Sequence, residues 1–290
     1  HILNPTHKDI RTLVGIAMRL CIELGFHRRK RIKSPSVKSE SEKRLFWACY
    51  YLDRELSVSL GRPTSIADHD IDVQLPLDVD DSAQDVEVFN IAMEKDQSVP
   101  ANPPTVLTYF IHLIRLKRIQ SEIQTTLYRV DSVPSAVESE RATDRFLDRV
   151  EAWKKTIPPH MGTWDALFKI ISYHRCVQLL LQPQLYASII NDRYFELCMN
   201  ASRGVCEGYK RIYHSMPMAF SSLSLQTVFI AGLTMVYGLW YKNSTAAVMY
   251  SFNALNDCSV LLYVMGERWA ASTKYRDAYE SIKRTVIDRI

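Results

Sequence analysis

Thr6-His7-Lys8-Asp9-Ile10-Arg11-Thr12-Leu13-Val14-Gly15-Ile16-Ala17-Met18-Arg19-Leu20-Cys21-Ile22-Glu23-Leu24-Gly25-Phe26 carries, in order, the marks of one complete amphipathic helix. Thr6 and Asp9 stand at the spacing of a capping box, in which two side chains satisfy amide groups that the first turn leaves open. Ile10, Leu13, Val14, Ala17, Leu20, Cys21 and Leu24 then recur every three or four residues, the period of a helical face. Gly25 follows as a left-handed cap, with Phe26 placed to fold back on the last turn.

The same signals continue along the chain. Ser39-x-x-Glu42 opens a second helix with a core face of Leu45, Cys49, Leu52 and Leu56, stopped by Gly61 and Pro63. Residues 64–104 are rich in Asp and Pro and read as an extended crossing segment and a solvated loop, with one short helix at 85–95. Thr105 caps a long helix to about Val130, and Ser132 with Pro134 starts another to Trp153 and Ile157. Further helices are expected at 164–182, 193–215, 220–241, 245–268 and 270–288. The expected architecture is all-α, an irregular multi-helix bundle of about eight to ten helices forming one domain over residues 1–290.

Composition agrees and removes whole classes of function. Average usage would place roughly 20 glycines in a chain of this size; there are 9 among 290 residues, with no G-x-G-x-x-G and no G-x-x-x-x-G-K-[ST]. The two commonest nucleotide cradles are therefore missing. Leu223–Tyr241 is nearly all apolar, yet it carries Ser224, Gln226 and Thr227 and is marginal for a span of about 20 residues. It reads as a buried core helix, with no membrane partner. The six cysteines, Cys21, Cys49, Cys176, Cys198, Cys206 and Cys258, include no C-x2-C pair and sit in or beside apolar helical patterns. They read as structural thiols in a reducing compartment. No signal-peptide pattern opens the sequence, which reads as starting inside a longer chain.

Charge is uneven although the net value is only +4. Arg28, Arg29, Lys30, Arg31 and Lys33 form a basic run, while residues 68–96 hold ten Asp or Glu against Lys95 alone. The basic run is a candidate nuclear-localisation or anion patch; a solvated loop, or a strap docked on the acidic segment, are the other readings.

Three blocks resemble the fungal-specific transcription factor domain, the middle homology region of binuclear zinc-cluster regulators. The first is Gly15-Ile-Ala17-Met-Arg19-Leu-Cys21-Ile-Glu-Leu24-Gly25-Phe26-His27. The second is Glu42-Lys-Arg44-Leu-Phe46-Trp47-Ala-Cys49-Tyr50-Tyr51-Leu-Asp53-Arg54 with Leu60-Gly61-Arg62-Pro63, followed by Ile66, Asp68, Asp70, Ile71, Asp72 and Pro76. The third, weaker one is Cys258 to Trp269 with Lys274-Tyr-Arg276-Asp277. Phe26 replaces the family's usual Leu, and Lys43 lies near its usual basic pair. The resemblance implies a nuclear regulatory domain controlling RNA polymerase II transcription, with a homodimer, transcriptional co-regulators and a small apolar effector as expected partners. No C-x2-C-x6-C repeat is present, so no cofactor is expected in this chain. Zinc and DNA contact are expected only through an N-terminal module absent from it. A stand-alone helical scaffold or co-regulator is the alternative.

The motif residues have both structural and functional readings. Asp53 borders the core and needs a partner, for which Arg19 and Arg62 are candidates. Arg19, Asp53, Arg54, Arg62, Asp68 and Asp70 are expected to form a polar network tying helix, turn and extended segment together, with an anionic-ligand site as the other reading. Asp68-His69-Asp70-Ile71-Asp72 also invites a hard cation, but it lacks the turn glycine and closing Glu of a calcium loop. Asp80-Asp81-Ser82-Ala83-Gln84-Asp85 raises a metal-dependent terpene-synthase reading, without a matching second motif at Asn191-Asp192 or Asn256-Asp257. Phe229, Met235, Trp240, Met249, Phe252 and Tyr263 are either core or the lining of an apolar effector pocket.

Overall fold

The computed structural model describes residues 8–29, 35–80, 82–83, 85–96, 99–132, 134–157, 163–215, 221–243 and 245–290; side chains are described for all of these except 8–9, 163–169, 222 and 245–250. Among them the chain forms ten α-helices and no strand: α1 Lys8–Glu23, α2 Val37–Leu60, α3 Val86–Glu94, α4 Val106–Leu127, α5 Ala136–Lys155, α6 Thr163–Leu181, α7 Asp192–Ser215, α8 Ser222–Lys242, α9 Thr245–Arg268 and α10 Thr273–Ile287. Their contacts gather into two compact units, one of residues 8–125 and 151–161, the other of 126–150 and 162–290.

In the first unit, α1 ends as its sequence requires. Gly25 has φ +71, and the amides of Gly25 and Phe26 return to the carbonyls of Ile22 and Cys21 at 3.0 and 2.9 Å. Thr6 lies outside the described residues. The buried arc of α1 is Ile10, Val14, Met18 and Cys21; Leu13, Leu20 and Leu24, expected in the core, are more than half exposed. The apolar residues of α1 cover most of its circumference, and only one arc meets α2. The second helix starts earlier than expected, because Ser36 is its cap and forms a reciprocal box with Ser39. Its core is the aromatic face of Phe46, Trp47 and Tyr50, all fully buried, while Leu45 of the expected stripe is exposed. Gly61, at φ +59, closes it. The crossing segment is pinned to α2 by Trp47, whose Nε1 donates to the carbonyl of Gln74 at 2.9 Å, and by Glu40, whose Oε2 accepts from the amide of Leu77 at 2.9 Å.

The second unit packs α6 to α10 around one apolar cluster, with Val228, Ala231, Met235, Val236 and Leu239 of α8 at its centre. Leu223–Lys242 is long and apolar enough to cross a membrane by length and composition, and 61% of that window is buried. Four of the few glycines lie where helices touch. A Cβ on Gly204 or Gly208 of α7 would enter His174 or Ile171 of α6, and one on Gly232 or Gly238 of α8 would enter Cys258 or Met199. Scarce glycine in this chain thus marks close helix contact as well as the left-handed ends of α1 and α2.

Candidate functional site

The densest polar constellation in the first unit is built on Arg54, near the C-terminal end of α2. Its guanidinium is fully buried and its donors are directed at four groups. Nε donates to Ser121 Oγ at 3.1 Å, Nη1 to Asp53 Oδ2 at 2.7 Å and Nη2 to the carbonyl of Ile66 at 2.7 Å; Asp68 Oδ2 lies 3.4 Å from Nη2. The plane rests on the Tyr50 ring, 4.1 Å from its centroid. Tyr50 in turn donates to Asp68 Oδ1 at 2.6 Å, and burial pushes the Tyr50 hydroxyl well above its ordinary range. Asp53 accepts from the hydroxyl and the amide of Ser65 at 2.6 and 3.1 Å. Ser121 of α4 closes the ring with a short bond to Asp68.

Of the six network residues expected from sequence, the structure brings Asp53, Arg54 and Asp68 together. It leaves three outside, which corrects the expected set. Arg19 projects from α1 and faces Glu23 at 3.7 Å, Arg62 is exposed beyond the cap of α2, and Asp70 is exposed with His69 Nε2 at 3.8 Å. Asp53 finds its cation in the adjacent Arg54, whose long side chain turns back along the helix.

Sequence reasoning missed Ser65, Ser121 and a second buried pair, Glu55 of α2 with Lys117 of α4, to which Gln120 Oε1 adds an acceptor at 2.8 Å. The signal was available. Lys117, Gln120 and Ser121 lie on the buried side of α4 among Ile114, Leu116, Ile119 and Ile123, and polar groups at core positions require partners.

The basic run meets the acidic segment. Arg28 Nε is 3.1 Å from Asp72 Oδ1, and the amide of Arg29 donates to the same oxygen at 2.7 Å. The Arg29 amide, followed by the Arg28 charge, holds the Asp72 carboxyl below its ordinary range. Lys30, Arg31 and Lys33 lie outside the described residues.

Of the six residues expected to line an apolar effector pocket, the five with described side chains divide between core and surface. Met235 is sealed in the core, and Phe229 packs edge-on against Tyr275 at 5.1 Å. Trp240, Phe252 and Tyr263 are 56%, 53% and 50% exposed. Met249 is outside the residues whose side chains are described. Helix α8 has apolar residues on every side, so its pattern does not distinguish core from lining. Trp240 instead ends a surface row with Tyr237 at 5.8 Å and Tyr186 a further 5.9 Å on.

The metal readings also find their residues engaged elsewhere. Asp85 is the cap of α3 and accepts from the amide of Glu87 at 2.9 Å, while Asp81 and Gln84 lie outside the described residues. Asp192 and Asp257 pair with Lys242 and Lys210 at 2.9 and 2.5 Å. Among the described residues no cluster of three His, Cys, Asp or Glu could hold a metal ion.

All six cysteines are free and buried. Cys21 and Cys49 lie 3.9 Å apart between α1 and α2, and burial, helped by Cys49, pushes the Cys21 thiol up to about 12. A thiol with a raised native value supports the fold below its ordinary 9.0 and ceases to do so as pH climbs toward 12. Unfolding free energy is therefore expected to fall across that alkaline window, less steeply in Cys21→Ala. The check is denaturant titration at several alkaline pH values; an unchanged slope in the variant would assign the loss to other groups.

Residues 2–164 match the family model described as the fungal specific transcription factor domain. The chain belongs to this family. The match contains α1, α2, the crossing segment and α4, and so the whole Arg54 network. Among similar proteins are the transcriptional regulatory protein YLR278C of Saccharomyces cerevisiae, 26% identical over 85% of this chain and 20% of its own length, and pyrimidine pathway regulatory protein 1 of the same yeast, 23% identical over 89% and 28%. Activator of stress genes 1, also from that yeast, is 27% identical over 94% and 27%. The chain thus spans between a fifth and a third of these relatives' lengths. No solved structure matches it.

Proposed function

We propose that this chain is a nuclear regulatory domain that alters RNA polymerase II transcription through protein contacts, as a homodimer and with co-regulators, and is not itself an enzyme or a DNA reader. The match of residues 2–164 to the family model carries the reading. Three features of the molecule support it. The charged motif residues Asp53, Arg54 and Asp68 satisfy one another, with Asp53 and Arg54 buried and Asp68 partly so. The described part of the basic run is turned onto Asp72. None of the six cysteines has zinc-cluster spacing, so zinc and DNA contact are assigned to residues beyond these 290.

The test is to fuse the chain to an unrelated DNA-binding domain and measure a reporter carrying that domain's site. A several-fold change in expression, in either direction, relative to the DNA-binding domain alone is expected. An unchanged reporter with the fusion present in the nucleus would defeat the proposal.

A further inference from the structure

The exposed side of α1 bears a cleft of about 450 Å³, within the range of about 300–1,000 Å³ typical of small-molecule sites. On the α1 side its floor includes Gly15, where an added Cβ would meet nothing within 4 Å, and Ile16 and Ile22 also line it. Across from the helix the wall is Ser65, the residue that holds Asp53. The rim carries one cation and one anion, Arg19 and Glu23.

Those two charges define what the cleft can accept. They lie one turn apart at 3.7 Å, with side chains 78% and 63% exposed, and the cation precedes the anion, the weaker orientation of a helical pair. An anionic ligand would meet Arg19 but be opposed by Glu23, and a cationic one the reverse. A molecule bearing both charges on one carbon satisfies both. Ser65 lines the same cleft and donates its proton to Asp53, which leaves its oxygen able to accept from a ligand ammonium. The apolar surface of Ile16 and Ile22 above the bare Gly15 floor then suits a hydrocarbon side chain.

We propose that this cleft binds a free α-amino acid with an apolar side chain, its carboxylate on Arg19, its ammonium on Glu23 and Ser65, and its side chain over Gly15. The site deepens the proposed function: any effect of the ligand on transcription rests on that reading, whereas the binding does not. Ser65 supplies the connection inward, since its hydroxyl and amide both hold Asp53, and Asp53 holds Arg54. A ligand on Ser65 therefore touches the network that joins α2 to α4.

The experiment is a titration of the 290-residue chain, followed by methyl resonances of Ile16 and Ile22, with L-leucine and with L-phenylalanine. Saturable shifts with a Kd on the order of 1 mM are expected for at least one. N-acetyl-L-leucine, which lacks the ammonium, and L-leucinamide, which lacks the carboxylate, should each bind at least tenfold more weakly. Gly15→Leu fills the floor where there is open space, so it should fold normally and lose the shifts. The proposal is overturned if neither amino acid gives a saturable shift, if the acetylated or amidated compound binds equally well, or if folded Gly15→Leu still binds. A flat reporter beside intact amino-acid binding would reject the regulatory reading alone.

Discussion

Arg54→Met is expected to destabilise the first unit by about 3–5 kcal/mol. The side chain is fully buried, and its removal leaves the Asp53 carboxylate without the cation that pairs with it at 2.7 Å and the Ile66 carbonyl and Ser121 hydroxyl without the Arg54 donors. A buried pair contributes little net energy when intact, because desolvation opposes attraction; breaking it by halves is what costs. Against a typical total of about 5–15 kcal/mol, such a loss sends much of the protein to aggregates in the cell. Arg54→Lys keeps the charge but cannot reach a hydroxyl, a carboxylate and a carbonyl with one planar fork, so it should recover only part of the loss. Arg62→Ala and Arg19→Ala, both at exposed positions, should stay within about 0.5 kcal/mol of the parent. Denaturant midpoints of the four variants decide the matter: equal midpoints for Arg54→Met and Arg62→Ala would refute the central place of Arg54.

That contrast between Arg54 and Arg62 also marks how far the sequence could be read. Positions with local causes were legible. Gly25 and Gly61 have positive φ, and both read as stops because glycine adopts that conformation without a Cβ penalty. Helices α6 to α10 were placed close to their observed ends from period and caps. What local pattern does not contain is the partner. Arg54 meets Ser121 across 67 positions, and Glu55 meets Lys117 across 62, through the packing of α2 on α4. Helical period also names the apolar residues without saying which arc is covered, so Leu13, Leu20 and Leu24 were indistinguishable from Val14 and Cys21. In the largely apolar α8 the period carries little direction, and the pocket residues expected from it divide between core and surface.

Glycine gives the second large effect, with opposite signs at two sites. Gly232→Val should destabilise the second unit by about 3 kcal/mol, the upper part of the range for overpacking a filled core. A Cβ there would stand 2.4 Å from Cys258 Sγ and 2.7 Å from the Tyr279 ring, and neither neighbour can retreat. Both are completely buried; Tyr279 is held by its hydroxyl donating to the Leu255 carbonyl at 3.1 Å, and Cys258 approaches the Val228 carbonyl at 3.5 Å. Gly232→Ala should fall between, because the gain in helix propensity of up to about 1 kcal/mol offsets part of the clash. Gly15→Ala meets no atom within 4 Å in the middle of α1, so it should gain that propensity outright and stabilise the first unit by about 0.5–1 kcal/mol. Thermal midpoints measure both, at about 2–4 °C per kcal/mol for a domain of this size. If Gly232→Val and Gly15→Ala moved the midpoint in the same direction, the close approach of α8 to α9 and α10 would not be what keeps glycine at position 232.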